Sequence, residues 1–324
     1  MCMIHMTGVE ERLILKMWDT GDRKTEKSKA EEGNCSRMSN SSDDATLRLF
    51  QTVAYTPVFV AGLLLNTSAL WLFFRLRTWT DTHIYMFNLI LADLLVILFL
   101  PFRIYDTVYS MQSGGFCAFL VMVHQTNMYV SMLTVAAISA HRFVAVSFPL
   151  LTKTLETRRK MIAHVVCALV WITVMAIYVG LLGPRPEKLR TCYDVKLQKP
   201  RLSRLLVVQI VGYLLPMATV VTCSTGAMCT VAKSAEDCHE RAEEKNAAGR
   251  KKAVAIIKAN MIVFIVCFTP LHVAYWLRFY CWNTDHFSYV FYKVAQWIAT
   301  TNCCLDSVGY YFLFKKGFQR QEFA

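Results

Sequence analysis

TTNCCLDSVGYYFLFKK, Thr300 to Lys316, sets Asn302 and Asp306 four residues apart in an otherwise apolar stretch, then Tyr310, then an abrupt basic stop at Lys315 and Lys316. A spacing of four puts both polar groups on one helical face. A carboxylate is expensive at the level of lipid hydrocarbon. It must face the interior of a bundle, and an ionisable group there points to function by default.

Composition supplies the membrane. The chain of 324 residues is 55% hydrophobic, has a mean hydropathy of +0.35, and gathers its apolar residues in runs rather than in amphipathic stripes. Seven runs, at about 50–75, 83–109, 115–147, 160–182, 202–232, 253–279 and 288–312, are each long enough to cross a hydrocarbon core of about 30 Å as a helix. The expected fold is therefore an all-α membrane protein, a bundle of seven transmembrane helices. Residues 1–49 form an extracellular N-terminal tail without ordered structure, 50–312 the transmembrane domain, and 313–324 a short amphipathic cytoplasmic helix and C-terminal tail.

The tail is polar and of mixed charge, with no apolar core of a cleavable signal peptide, so the first span is expected to act as its own insertion signal. Sequons at Asn34 and Asn40 fit an extracellular N-terminus, whereas the match at Asn66 lies mid-helix. Charge agrees. Lys153, Arg158, Arg159 and Lys160 flank one loop, Arg250, Lys251 and Lys252 lead into the sixth span, and Lys315 and Lys316 follow the seventh, all on the cytoplasmic side. The loop at 183–201 on the outer side is basic as well, with Arg185, Lys188 and Arg190 among its cations. It reads either as a solvated loop that touches headgroups or as a funnel for an anionic ligand. Of the cysteines, Cys117 at the outer end of the third span and Cys192 in that loop lie in an oxidising compartment where a bridge persists. Cys35 and Cys281 are a second candidate pair, and most of the others read as small apolar packing groups.

Seven motifs in order, one per span, carry a resemblance: GLLLN with Asn66, NLILADLL with Asp93, Cys117 with the HRF triplet of Arg142, Trp171, Pro216, CFTP with Phe268 and Pro270, and DSVGY with Tyr310. Over about 49–322 the chain resembles the rhodopsin-like (class A) G-protein-coupled receptors. LLLN, IYMFNL, LPF, VCFTPLHV and NCCLD…YYF look most like the branch that holds the lysophosphatidylinositol receptor and the kynurenic-acid-responsive receptor. MSNSSDDATL from Met38 looks like a short family-type tail, an alternative start to Met1.

The resemblance implies a plasma-membrane receptor that switches between two packings and activates a heterotrimeric G protein, with arrestin as a further partner and membrane lipids around it. Asp93, Asn127, Ser131, Asn302 and Asp306 supply oxygens that converge on a sodium ion or water cluster in the family, or else form a polar network that only holds helices together. Pro216 and Pro270 break intrahelical hydrogen bonds and permit kinks. Phe268 beside the second kink is then the toggle, with Phe264 beneath it. Two departures stand out. The usual acid before Arg142 is His141, which weakens the expected restraint on the inactive state, and Ser307 and Ser224 replace a proline and a tyrosine of the family pattern.

For the ligand, Arg103 just after Leu100-Pro101-Phe102 points a cation near the outer end of the second span, where the lysophosphatidylinositol receptor has a lysine. The arginine expected in the third span of the kynurenic-acid-responsive receptor is Met128, which argues against small aromatic acids. His124, Tyr129, Tyr275, Arg278 and Lys293 lie at similar height, although Arg278 and Lys293 also suit snorkelling to headgroups. The expected ligand is an extracellular anionic lipid, such as a lysophospholipid, or an organic acid. No enzyme motif occurs, neither P-loop, zinc site nor nucleophile elbow, and nucleic acid is not an expected partner. Alternatives are a constitutively active or silent partner subunit, which His141 favours, and a membrane transporter, which would show related halves with broken helices.

Overall fold

In a computed structural model of the chain, residues 45–76, 78–112, 114–155, 157–182, 189–195, 202–236, 244–280 and 286–321 are described below. The chain divides into Met1–Phe50 and Gln51–Ala324, and the second unit is the subject here. Cys35, Cys281, Asn34, Asn40, Arg185 and Lys188 lie outside the described residues, as do the side chains of Arg190 and Tyr310.

The helices follow the apolar runs. They are α1 (Ala45–Arg75), α2 (Asp81–Tyr109), α3 (Gly115–Ser147), a short α4 (Pro149–Thr154), α5 (Arg159–Ile177), α6 (Leu202–Gln209), α7 (Leu215–Glu236), α8 (Glu244–Tyr280) and α9 (His286–Gln321). Helix α1 is already formed at Ala45, the first described residue, ahead of the expected boundary at 50. Helix α9 carries on past 312 without a break, so the helical segment after the seventh span continues that span. Two π-helical turns interrupt the series, Tyr178–Leu182 after α5 and Ile210–Leu214 between α6 and α7. The second stands just before Pro216. A proline cannot donate to the carbonyl four residues back and its ring crowds it, and the wider turn relieves both effects. A feature the sequence does not announce is a small antiparallel hairpin, β1 (Leu189–Thr191) with β2 (Asp194–Val195), in which Leu189 faces Val195 and Thr191 faces Asp194.

Local chemistry sets the ends of α2. Thr80 accepts from the His83 N–H and His83 Nδ1 accepts from the Thr80 N–H, a reciprocal cap on two otherwise unsatisfied donors. At the other end Ser110 takes a left-handed conformation (φ 51°) and donates its N–H to the Asp106 carbonyl, closing the helix. The Cys117–Cys192 disulfide fastens the hairpin to the start of α3, as the sequence predicts. The Asp106 carboxylate reinforces it, accepting from the N–H of Met111 at 2.8 Å and of Tyr193 at 3.2 Å.

Between the spans the core is apolar, with Phe73, Leu89, Ile90, Val130, Met132, Phe264, Phe268 and Leu271 buried. In lipid, apolar surface alone gives helices little reason to associate, so polar cross-links and close backbone approach carry much of the specificity. Asn66 donates to the Cys303 carbonyl at 2.9 Å and to the Gly62 carbonyl at 3.0 Å, joining α1 to α9. Asn88 donates to Thr134 and accepts from the Trp171 indole at 2.8 Å, joining α2, α3 and α5. Gly212 lets the π turn approach α3 so closely that an added Cβ would stand 2.7 Å from Tyr129 Cε1, whereas one on Gly180 would meet nothing within 4 Å.

Gly212→Ala is therefore expected to destabilise by about 1–3 kcal/mol through overpacking, and Gly180→Ala to leave stability unchanged. Thermal unfolding of the two detergent-solubilised variants, compared with the unaltered chain, checks both.

Candidate functional site

Arg103 leaves the disulfide end of α2 and turns inward, and it is 3% exposed. Its Nη1 lies 2.7 Å from His124 Nε2 on α3, and its Nη2 donates to Gln296 Oε1 on α9 at 3.1 Å. A guanidinium has no acceptor, so His124 Nε2 must offer a lone pair and the His124 proton sits on Nδ1. Gln296 is oriented by the same logic, with its oxygen to Arg103 and its amide N–H to the Tyr292 hydroxyl at 2.8 Å. Two tyrosine rings cover the guanidinium, Tyr55 of α1 at 4.5 Å and Tyr193 of the hairpin at 4.9 Å. Burial pushes the Tyr193 phenol above its ordinary range, so it faces the cation as a neutral ring. Among the described residues no carboxylate pairs with Arg103, and both oxygens of nearby Asp106 are taken by backbone N–H groups.

A buried charge with only neutral partners is held by charge-assisted hydrogen bonds and ring faces and leaves room for an anion. Beside it Val96, Phe99, Leu100, Leu120, Val123, His124 and Tyr193 line a closely packed cleft together with Arg103.

The other predicted ligand residues form a neighbouring set. Lys293 is buried, with Nζ 3.3 Å from the Tyr193 carbonyl, and Arg278 lies over the Tyr292 ring at 4.8 Å. Tyr275 contacts Tyr292 and His272 edge to face or tilted, and Tyr129 packs in the Gly212 notch and reaches the Tyr275 hydroxyl. Arg103, His124 and Lys293 are thus linked through Tyr193, and Arg278 through Tyr292 and Gln296. Tyr55, Tyr193, Gln296 and Thr300, whose hydroxyl lies 3.4 Å from His124 Nε2, were missed by sequence reasoning. Gln296 and Thr300 do carry a signal. With Lys293 they occupy one face of α9 at spacings of three and four.

Deeper in the bundle Asp93 is fully buried and accepts from Asn127 Nδ2 at 3.3 Å, while Asn302 donates to Asp306 at 2.8 Å. Asp93 Oδ2, Ser131 Oγ, Ser307 Oγ and Asn66 Oδ1 are buried there without a hydrogen-bond partner. Of the five predicted residues, Asp93 and Ser131 each keep a buried oxygen without a partner, an environment that suits a small cation or bridging water, while Asn127, Asn302 and Asp306 are paired as above. Below it a narrow cavity, lined by Phe264 and Phe268 packed edge to face, by Asn302 and Asp306, and by Asn260, extends to Arg142.

His141 is not idle. Its Nε2 lies 2.5 Å from Asp81 Oδ2, and Arg159 donates to the same oxygen at 2.6 to 2.7 Å. The expectation of a missing anion near the third-span arginine is thus amended, because Asp81 of α2 brings an acid to that end of the bundle.

Seven spans, the bridge from α3 to the hairpin, and Asp93, Arg142, Phe268 and Pro270 in their places define a receptor of the seven-helix class. The family described as "7 transmembrane receptor (rhodopsin family)" matches residues 65–310, and the chain belongs to it. The chain is 34% identical over 292 residues to the lysophosphatidic acid receptor 6 of Gallus gallus, covering 84% of this chain and 92% of that one. It is also 32% identical over 275 residues to the G-protein coupled receptor 35 of Mus musculus (83% and 86% covered), and 29% identical over 307 residues to the G-protein coupled receptor 55 of Mus musculus (89% and 92%). The chain is a multi-pass plasma-membrane receptor that couples to G proteins, not an enzyme.

Gln296→Leu strips the acceptor from Arg103 and the donor from Tyr292, and leaves a buried charge-bearing donor short of a partner. The expected cost is about 1–3 kcal/mol, read as a lower unfolding temperature of the ligand-free receptor.

Proposed function

We propose that the chain is a receptor for an extracellular anionic ligand, a lysophospholipid or an organic acid, whose negative group meets Arg103. The observation that carries this reading is a buried guanidinium whose partners among the described residues are all neutral, beside a cleft at the disulfide end of the bundle. A relative named for lysophosphatidic acid, a phosphate monoester with one acyl chain, supports the lipid member of the pair. The N-terminus then lies outside the cell, the basic segment at 183–201 draws anions to the mouth, and Arg142 faces the cytoplasm and the G protein. Arrestin is a further partner there, and surrounding lipids contact the exposed apolar faces.

Binding selects the active packing by giving it more interaction energy than the inactive one. An anion arriving at Arg103 competes with Gln296 and His124. It thereby changes the links from α2 to α3 and α9, the latter at Gln296, nearly two turns of α9 above Asn302. Asp93, Asn127, Ser131, Asn302 and Asp306 would hold a sodium ion or water cluster, which supplies positive charge or hydrogen bonds to two acids in one apolar bundle.

Transfected cells exposed to a panel of lysophospholipids and organic acids, with G-protein activation as the readout, test the ligand class. Arg103→Ala is expected to lower potency about ten- to a hundredfold, the worth of a charge-assisted bond in a partly dry pocket. Arg103→Lys is expected to keep part of it, since a point charge remains while the paired geometry is lost. Unmoved half-maximal concentrations for every active anion would sink the assignment. Sodium is expected to weaken agonist binding to the unaltered chain and to have no such effect on Asp93→Asn, by radioligand competition in sodium and in potassium buffers.

A further inference from the structure

Asp81 begins α2 at its Arg142 end, in the first turn, where the helix dipole favours an acid. It is 6% exposed, and a lone buried carboxylate there would be costly. Its Oδ2 instead receives His141 Nε2 from α3 at 2.5 Å and Arg159 Nε from α5 at 2.7 Å. One oxygen thus ties three spans. The Tyr85 ring, one turn further along α2, packs against the His141 ring at 5.7 Å.

Arg142 follows His141 directly, and successive helical residues point about 100° apart. A His141 held toward α2 and α5 therefore fixes the direction in which Arg142 leaves α3. That direction is into the cavity shared with Asn260 and Phe264 of α8 and with Asp306 of α9.

We propose that Asp81 is a positioning residue for G-protein activation: through His141 and Arg159 it fixes the rotation of α3, and so presents Arg142 to the cavity between α8 and α9. The acid that the family pattern puts next to the arginine has exchanged places with a base, and its partner acid sits on the neighbouring helix. The inference depends on the coupling of this chain to a G protein and is independent of what Arg103 binds.

The full chain in nanodiscs with a heterotrimeric G protein provides the test, with nucleotide exchange per folded receptor read with and without 1-oleoyl lysophosphatidic acid as the probe. Asp81→Asn is expected to lower exchange about tenfold, and His141→Asp to do the same by setting two carboxylates face to face. Probe affinity, read separately, is expected to stay within about twofold, because Arg103 lies at the other end of α2. Asp81→His combined with His141→Asp restores one acid facing one base, and exchange is expected to return most of the way. Should a single variant fail to fold, Asp81→Glu, which keeps the charge, and the double exchange decide the matter. Singles that exchange nucleotide like the unaltered chain, or a double variant no better than its parents, would show a helix staple with no part in activation. If the probe stimulates nothing, 1-oleoyl lysophosphatidic acid is not an agonist of this receptor, and the same comparison on ligand-independent exchange still tests Asp81.

Discussion

A guanidinium shut away from water, with neutral partners alone among the described residues, sets the terms for the disulfide end of this receptor. Arg103 draws in one side chain each from α1, α3, α9 and the hairpin: Tyr55, His124, Gln296 and Tyr193. None of these neutralises it. Each offers a partial charge or a ring face, and each is then constrained by its own second contact, Gln296 by Tyr292 and Tyr193 by Asp106. The arrangement is a set of weak commitments to one strong charge. A ligand anion need only outbid neutral acceptors, not an internal salt bridge.

The same constraint recurs at two further depths. In the middle, Asp93 and Asp306 are each approached by an asparagine, and one oxygen of Asp93 is buried without a partner. At the far end Asp81 meets both His141 and Arg159 through one carboxylate oxygen. Three charged levels, one cationic with neutral partners, one acidic and under-satisfied, one closed by ion pairs, stand along α2. The level closed by ion pairs is suited to stay fixed, and the other two are suited to answer ions and ligands.

The fold was legible because hydrocarbon imposes one rule on every span, and seven runs of the right length obey it. Arg103, His124 and Lys293 were legible as candidates because polar groups in apolar helices are rare enough to stand out. Tyr55 and Tyr193 were not, since a tyrosine in a span or after a cysteine looks like ordinary packing until the fold brings it over a cation. Asp81 was hidden for another reason. At a helix start an acid already has a sufficient explanation in the helix dipole, and only the meeting of three spans shows its second role. His141, read from the sequence as the loss of an acid beside Arg142, instead meets an acid of its own in Asp81. A missing partner one residue away is visible in a sequence, whereas its replacement sixty residues earlier is not.

Tyr129 in its notch beside Gly212 has a mechanical consequence. A ring seated against bare backbone acts like a tooth in a gear: if the π-turned part of the fifth span rolls about its own axis, any Cβ-bearing neighbour that comes round must push the ring aside. The ring also reaches Tyr275, so that push is passed to the sixth span just above Pro270. Rolling of one helix is thereby converted into sideways displacement in another, without either having to slide along the membrane normal.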